Sequence, residues 1–441
     1  MRIDRLEIKN FKKFSDYTLD LHPQFTLLVG DNGTGKTTIL DALAIAAGIW
    51  LVNSPDTTLN NSRRNILPSE IRLEAIESDT ITQFIQRKPV QIRAIGTINS
   101  QPVQWLRQFK TNGSRTSNTE AKQALEIIST LFQQIEAGAK IWLPIIAYYG
   151  AGRAWLPSNQ RDKATTHTSP ARRWDAFYDC FKERIRIADI DTWFQKEAIA
   201  SVNRQGQMRP GYKVVKLAIL RCIPNADDLW FDPERSEIVV SIQGNPQPFS
   251  NLSAGQKMMV GLIADIAIKI VTQNASFLTE ESDRYNQRLP LILQQTSGLV
   301  LIDEIDVHLH PKWQHQVVND LTNTFPSIQF VCTSHSPLVI GEVEASCIRV
   351  LERDEETGKV ISTIPLESYG LDANRILEEQ MGASERNKEV ADKLHALFQL
   401  IDDENFDGAR QAMIPLGEKI GHQAPEITQA RSLIKFLEGN E

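Results

Sequence analysis

Residues 25–45 read FTLLVGDNGTGKTTILDALAI. The first five, Phe25 to Val29, form a short apolar run of the kind expected for a buried strand. A loop with the spacing G-x-x-x-x-G-K-T follows: Gly30, Asp31, Asn32, Gly33, Thr34, Gly35, Lys36, Thr37. From Thr38 to Ile45 apolar residues return at helical spacing. Strand, glycine loop and helix in that order are the context a phosphate-binding loop requires. The glycines let successive backbone N–H groups turn toward one anion. The helix start adds the positive end of its dipole. In such a loop Lys36 reaches the β- and γ-phosphates and the Thr37 hydroxyl ligates Mg²⁺. The stretch predicts a nucleoside triphosphate held by residues 30–38.

The rest of the chain is large enough to build on that loop. Its 441 residues allow two or three domains, and 41% apolar content supports a packed core. The four cysteines, Cys180, Cys222, Cys332 and Cys347, show no C-x-x-C spacing. That pattern suggests neither a zinc site nor a disulfide framework, which fits a reducing compartment. The start, MRIDRLEIKNFKKF, alternates charged and apolar residues and lacks a signal-peptide core. The longest apolar stretches, 39–52 and 258–271, are broken by Asp41 and by Asp265 and Lys269, so no membrane span is expected. The expectation is a soluble cytoplasmic protein. Net charge is −7, unevenly spread: residues 366–441 hold 15 acidic and 8 basic side chains, residues 151–221 hold 14 basic and 7 acidic. Such blocks mark separate partners, a meeting of subunits, or plain solvated faces.

Around the loop, residues 2–9 alternate as a half-buried strand and 17–21 read as its hairpin partner. Phe11 and Phe14 stand ahead of the loop, placed either to stack on a base or to pack beneath it. Residues 53–68 read as a loop, 90–110 as two strands around Asn99-Ser100, and 120–137 as a helix. Ile141 to Tyr149 reads as a buried strand ending in Gly150-Ala151-Gly152-Arg153, with Arg153 either a phosphate or inter-subunit contact or an exposed arginine. Residues 170–200 read as helical, their aromatics at core spacing, and 229–231 with 238–242 as a hairpin.

Three later segments complete a site. Leu252-Ser253-Ala254-Gly255-Gln256 precedes an apolar helix that Ser253 would cap. Leu299 to Ile302 is a buried β run ending in Asp303-Glu304; the aspartate would hold Mg²⁺ beside Thr37 and the glutamate would orient water. A further strand, Gln329 to Val331, runs into Thr333-Ser334-His335, where an imidazole reaches a γ-phosphate.

GDNGTGKTT, LSAGQ, LVLIDEIDVHLHP and TSHS resemble the Walker A, signature, Walker B with D-loop, and switch-histidine motifs of ABC-type ATPases. The likeness is to the soluble SMC/RecF-like branch and not to transporters. It implies an α/β P-loop NTPase fold of ABC-ATPase type: a mixed, mostly parallel sheet, an antiparallel N-lobe sheet, an inserted helical region and a C-terminal helical tail. It also implies ATP hydrolysis with Mg²⁺ in a head-to-tail dimer, possible further assembly being left open. Lys36, Glu304 and His335 would be catalytic, and Thr37 and Asp303 would ligate the metal. Gly30, Asp31, Asn32, Gly33, Thr34, Gly35, Thr38 and, from the partner copy, Ser253, Gly255 and Gln256 would bind ATP. Asp306 matches the D-loop aspartate; His308 and His310 belong to the HLHP run, with a zinc pair as the alternative. A Q-loop glutamine is missing, since the chain there reads YYGAGRAW.

The stretch GLDANRILEEQMG and the helical tail resemble the PtuA family, the ATPases of Septu and related retron anti-phage systems, which pair with an HNH nuclease such as PtuB. The expected layout is an ATPase domain over 1–365 and an acidic helical region over 366–441. Within the first, an N-lobe spans about 1–150, a helical signature insert about 151–260 and a Walker B and switch lobe about 261–365. Three striped helices, at 390–401, 406–416 and 427–437, fill the tail. The alternatives are a DNA-repair ATPase clamping duplex DNA through the basic middle, Arg172 and Arg173 included, and the nucleotide-binding subunit of a transporter.

Overall fold

The computed structural model describes the chain except residues 57–58, 60–61, 78–81, 155–172, 279–288, 383–386 and 440–441. Two units emerge, residues 1–372 and residues 373–441.

In the first unit the N-terminal alternation produces β1 (Arg2–Phe11) and β2 (Phe14–Asp20), paired antiparallel as expected. The buried run becomes β3 (Phe25–Gly30) and the helix after the loop is α1 (Lys36–Ala47). An antiparallel hairpin, β4 (Leu73–Glu77) and β5 (Thr82–Gln86), precedes β6 (Val90–Ile98) and β7 (Gln101–Phe109). The last two turn at Asn99 and Ser100, whose φ of 49° and 62° give the doubly left-handed corner that matches strand twist. After β8 (Thr116–Ser117) comes α2 (Lys122–Glu136). The five antiparallel strands lie in the order β2-β1-β6-β7-β8.

The second sheet positions the site. β9 (Ile145–Tyr149), β13 (Gly298–Ile302) and β14 (Ile328–Thr333) join β3, β15 (Ile348–Arg353) and β16 (Val360–Thr363) in the order β16-β15-β3-β14-β13-β9. All pairs but β15–β16 are parallel. Every residue of β9, β13 and β14 is buried, which is why these strands read as unbroken apolar runs. Helix α1 touches β6 and β7 of one sheet and β3, β13 and β14 of the other. Caught between two sheets, it is apolar nearly all round; burying side chains such as Ile39, Leu40, Leu43 and Ile45 contributes about 1.5–3 kcal/mol each. Its one interior charge, Asp41, is met by Lys12 at 2.5 Å and Arg64 at 3.2 Å.

Between β9 and β13 lie α3 (Ile187–Val202), α4 (Pro210–Cys222), a three-stranded antiparallel sheet of β10 (Ala226–Asp232), β11 (Glu237–Ile242) and β12 (Asn245–Pro248), then α5 (Ala254–Gln273) and α6 (Leu291–Gln295). The helix expected over 170–200 is in fact two pieces: a 3₁₀ turn at Arg173–Phe177 and then α3. Phe177 belongs to the N-lobe core, stacked on Trp50 at 6.2 Å, and Trp174 meets Phe132 edge-on at 4.9 Å. The aromatic spacing is core spacing for Trp174, Phe177, Tyr178 and Phe181, whereas Trp193 packs on Phe194, which meets Tyr212 of α4 edge-on. Short helices α7 (Pro311–Gln314), α8 (Val317–Thr324) and α9 (Pro337–Ile340) link the remaining strands. No helix among the described residues is long and apolar enough to cross a membrane.

The second unit holds α10 (Ala373–Glu379), α11 (Lys388–Asp402), α12 (Phe406–Ile420) and α13 (Pro425–Leu437). Leu394, Leu397, Ile401, Ala409, Leu416, Ile427, Ala430 and Ile434 form its core, so the three expected stripes face one another. Leu437, counted in the third stripe, is instead exposed at the helix end.

Candidate functional site

Three parallel strands end side by side, and each carries part of the site. β3 delivers the loop at 30–35, β13 delivers Asp303-Glu304, and β14, lying between them, delivers Thr333 to His335. Together they line a cleft formed by Asn32, Gly33, Gly35, Lys36, Thr37, Thr38, Asp303, Glu304, Thr333 and His335, with Lys13 at its rim. Thr37 and Asp303, 266 residues apart in sequence, thus meet because parallel strands put their carboxyl ends on one edge.

The loop is shaped for an anion. Gly35 stands at the start of α1 with φ 107°, a conformation costly for any side chain, and caps the helix with no side chain. No acid stands in the first turn of α1, so its leading N–H groups are left for a ligand. Asp31 holds the turn through its carbonyl, which accepts from the Thr34 hydroxyl at 2.8 Å and from Lys36 Nζ at 3.0 Å. Lys36 Nζ also donates to the Gly30 carbonyl at 2.6 Å. Burial holds the Lys36 ammonium below the usual lysine range, against the upward pull of Asp303, Asp31 and Glu304.

Thr37 Oγ1 donates to Asp303 Oδ2 at 2.9 Å. A hydroxyl and a carboxylate, both hard oxygen donors beside a phosphate loop, fit Mg²⁺, which keeps several waters and needs few protein ligands. The other carboxylate oxygen accepts from Thr333 Oγ1 at 2.6 Å, and that same hydroxyl accepts the Glu304 N–H at 2.7 Å. Glu304 has φ 50°, a strained value for a non-glycine residue, held in place from the fully buried Thr333.

Ser253, Gly255 and Gln256 do not join this cleft. They start α5 with a reciprocal cap: Gln256 N–H donates to Ser253 Oγ at 3.3 Å and Ser253 N–H to Gln256 Oε1 at 2.9 Å. Ser253 is exposed. Gly255 packs so tightly on the His308 carbonyl that a Cβ there would lie 2.4 Å from the oxygen. This helix start therefore rests on the loop that follows Glu304. His310 begins α7, its Nδ1 accepting the Lys312 N–H at 3.3 Å, and no cluster of three or more metal-ligating His, Cys, Asp or Glu exists among the described residues.

Two readings left open by the sequence take a definite form. Phe11 and Phe14 are buried and not free to stack on a base; Phe14 lies under Gly35 and stacks on Tyr17 at 4.5 Å. In YYGAGRAW, Tyr149 donates its hydroxyl to Asp265 of α5 at 2.6 Å, and Gly150 is closed over by Glu183. The Arg153, Arg172 and Arg173 side chains lie outside the described residues.

Two participants had no separate reading in the sequence. Lys13, at the β1–β2 turn, donates to the Gly33 carbonyl; burial and nearby Arg353 hold its ammonium below the usual range. Thr333 was visible only as the start of TSHS. The Lys-Lys pair before Phe14 was the available signal for the first; nothing short of strand order marks the second.

The AAA domain family matches residues 5–205, and a second AAA domain family matches residues 183–341. The chain is similar to the Retron Vc95 probable ATPase of Vibrio cholerae serotype O1 biovar El Tor, 24% identical over 88% of this chain and 81% of that protein. It is also similar to the Septu protein PtuA of Bacillus thuringiensis, 23% identical over 94% of this chain and 93% of that one. Among solved structures, the SMC head domain from Thermotoga maritima aligns with a TM-score of 0.44 and 13% identity, covering 82% of this chain and 99% of that chain. The chain is an ATP hydrolase of P-loop fold, matched over two parts by AAA domain models and similar along most of its length to the Retron Vc95 probable ATPase and to the Septu protein PtuA.

Proposed function

We propose that this ATPase closes as a head-to-tail dimer around ATP and that its nucleotide state governs a partner effector, a nuclease of the HNH class, in anti-phage defence. The observation that carries the dimer is a division of the site. Lys36, Thr37, Asp303, Glu304 and His335 share one cleft, while Ser253 sits exposed at a different helix start, outside it. A second copy's Ser253 and the N–H groups of its α5 would complete the enclosure of the γ-phosphate. The similarity to retron and Septu proteins supports the defence role and the effector.

In this reading Lys36 and the loop amides neutralise the phosphates, with Lys13 adding charge at the rim. Thr37 and Asp303 hold Mg²⁺, which would offset charge between the phosphates. Glu304 orients the attacking water and His335 donates to the γ-phosphate.

The test is subunit complementation. Lys36→Ala and Ser253→Arg chains, each inactive alone, are mixed. A composite site restores about a quarter of the parent turnover, because half the dimers are mixed and each has one intact site. No recovery would remove the head-to-tail arrangement. The competing DNA clamp is less well supported: Lys182, Arg186, Arg209 and Lys216 of the basic middle are paired with acids of the same chain. Binding to duplex DNA that falls steeply with salt would favour the clamp instead.

A further inference from the structure

The loop after β14 carries His335, and the loop after β13 runs from Glu304 to Leu309. The Gln314 side chain joins them. Gln314, the last residue of α7, accepts the Ser336 hydroxyl at Oε1 (2.7 Å) and donates from Nε2 to the Leu309 carbonyl (2.9 Å). Both ends are anchored. Ser336 donates its N–H to Ser334 Oγ at 2.9 Å and caps α9, accepting from the Leu338 and Val339 N–H groups at 3.2 and 3.4 Å. Leu309 N–H donates to the Asp306 carbonyl at 3.0 Å, and Val307 N–H to that of Glu304 at 3.1 Å. On the far side Thr333 ties the two loops again, through the Glu304 N–H and through its own carbonyl, which accepts the Ile305 N–H at 2.9 Å. The hydrogen bonds close a ring, with Gln314 bridging the two loops on the side opposite Thr333.

The ring encloses two strained residues, Glu304 at φ 50° and His308 at φ 61°. Such angles persist only where the surroundings over-determine them. Thr333 secures the first; the pull of Gln314 on Leu309 acts one residue beyond the second. An amide suits the task because it accepts and donates at once. Glutamate in its place accepts from Ser336 but repels the Leu309 carbonyl. The Gln314 side chain is only partly buried, so replacing it leaves the core intact.

We propose that Gln314 is a positioning residue for ATP hydrolysis, coupling the His335 loop to the Glu304–Leu309 loop so that the two move as one when the γ-phosphate is present or lost. The inference rests on the reading of Glu304 and His335 given above. It also ties the nucleotide to α5, because Gly255 rests on the His308 carbonyl within the same loop.

The experiment uses the full chain, with ATP binding measured by titration and hydrolysis by single turnover. Gln314→Glu and Gln314→Leu each lower the hydrolysis rate about tenfold or more, while the ATP dissociation constant stays within about threefold. In a His335→Ala chain, adding Gln314→Leu lowers the rate by less than it does in the parent, since one of the two loops it couples has already lost its catalytic side chain. A purely stabilising bond would instead lower the unfolding midpoint and multiply with His335→Ala. Rates within about twofold of the parent in either folded variant, or multiplying losses, overturn the proposal. If Gln314→Leu does not fold, Gln314→Glu decides by the same criteria. A parent chain without turnover defeats the hydrolytic reading itself; normal parent turnover with indifferent variants defeats the Gln314 role alone.

Discussion

Thr333 Oγ1 lies 2.6 Å from Asp303 Oδ1, donating to it, and takes the Glu304 N–H at 2.7 Å. One hydroxyl thus fixes both the carboxylate that faces Thr37 and the backbone of the neighbouring glutamate. Thr333→Val keeps the shape but takes one hydrogen-bond partner from the Asp303 carboxylate and one from the Glu304 N–H, at about 1–3 kcal/mol each. The expected result is a raised Mg²⁺ requirement and a turnover lowered about tenfold or more, with Thr333→Ser restoring both. Steady-state rates across a magnesium titration check it.

Glu304→Gln should leave ATP binding intact, hold the ATP-bound dimer and cut turnover by about two orders of magnitude or more, the loss expected of a water-orienting group. Light scattering with ATP and a phosphate-release assay measure the two halves separately. Unchanged hydrolysis would rule out the role.

Lys13 brings a second ammonium to the Gly33 side of the cleft. It should contribute to binding and not to chemistry, since it stands on the loop side, away from Glu304 on its strand-end turn. Lys13→Ala is expected to raise the ATP dissociation constant about tenfold, equivalent to about 1.4 kcal/mol, with turnover at saturation nearly unchanged. Lys13→Arg keeps most of the affinity. A loss confined to turnover would contradict this assignment.

Away from the cleft, Asp191 on α3 has a buried Oδ1 without a hydrogen-bond partner among the described residues. Burial, with a smaller push from Glu237, raises its carboxyl to about 6. An unfolded aspartate titrates near 3.9. Between these values the folded chain keeps a proton that the unfolded chain has released, so stability falls as pH rises through this window. Asp191→Asn should therefore stabilise the fold by about 1–2 kcal/mol at pH 7.5, allowing for partial solvent screening, and by less at pH 5. Urea unfolding at the two pH values reads the difference directly.

Much of this protein was written in local order. The loop at 30–38, the apolar runs that became β13 and β14, the Asn99-Ser100 corner and the three stripes of the tail are short-range patterns, and each folded as its spacing required. The aromatics near 174–181 were harder, because helical spacing in sequence does not say which core a ring will enter. The Phe11 and Phe14 alternatives were settled by burial of both rings, Phe14 lying beneath the Gly35 turn and against Tyr17.

By itself the sequence determined the chemistry on offer: a glycine loop with Lys36 and Thr37, an acid pair at a strand end, and a histidine at another. Only the tertiary structure decided that β14 lies between β3 and β13, and from that follow the clamp of Thr333 on Asp303 and the bridge of Gln314 between two loops. Spacing fixes which side chains a single strand or helix presents together; hydrogen bonds between strands remote in the chain depend on the order in which the sheet assembles, and no local pattern encodes that order.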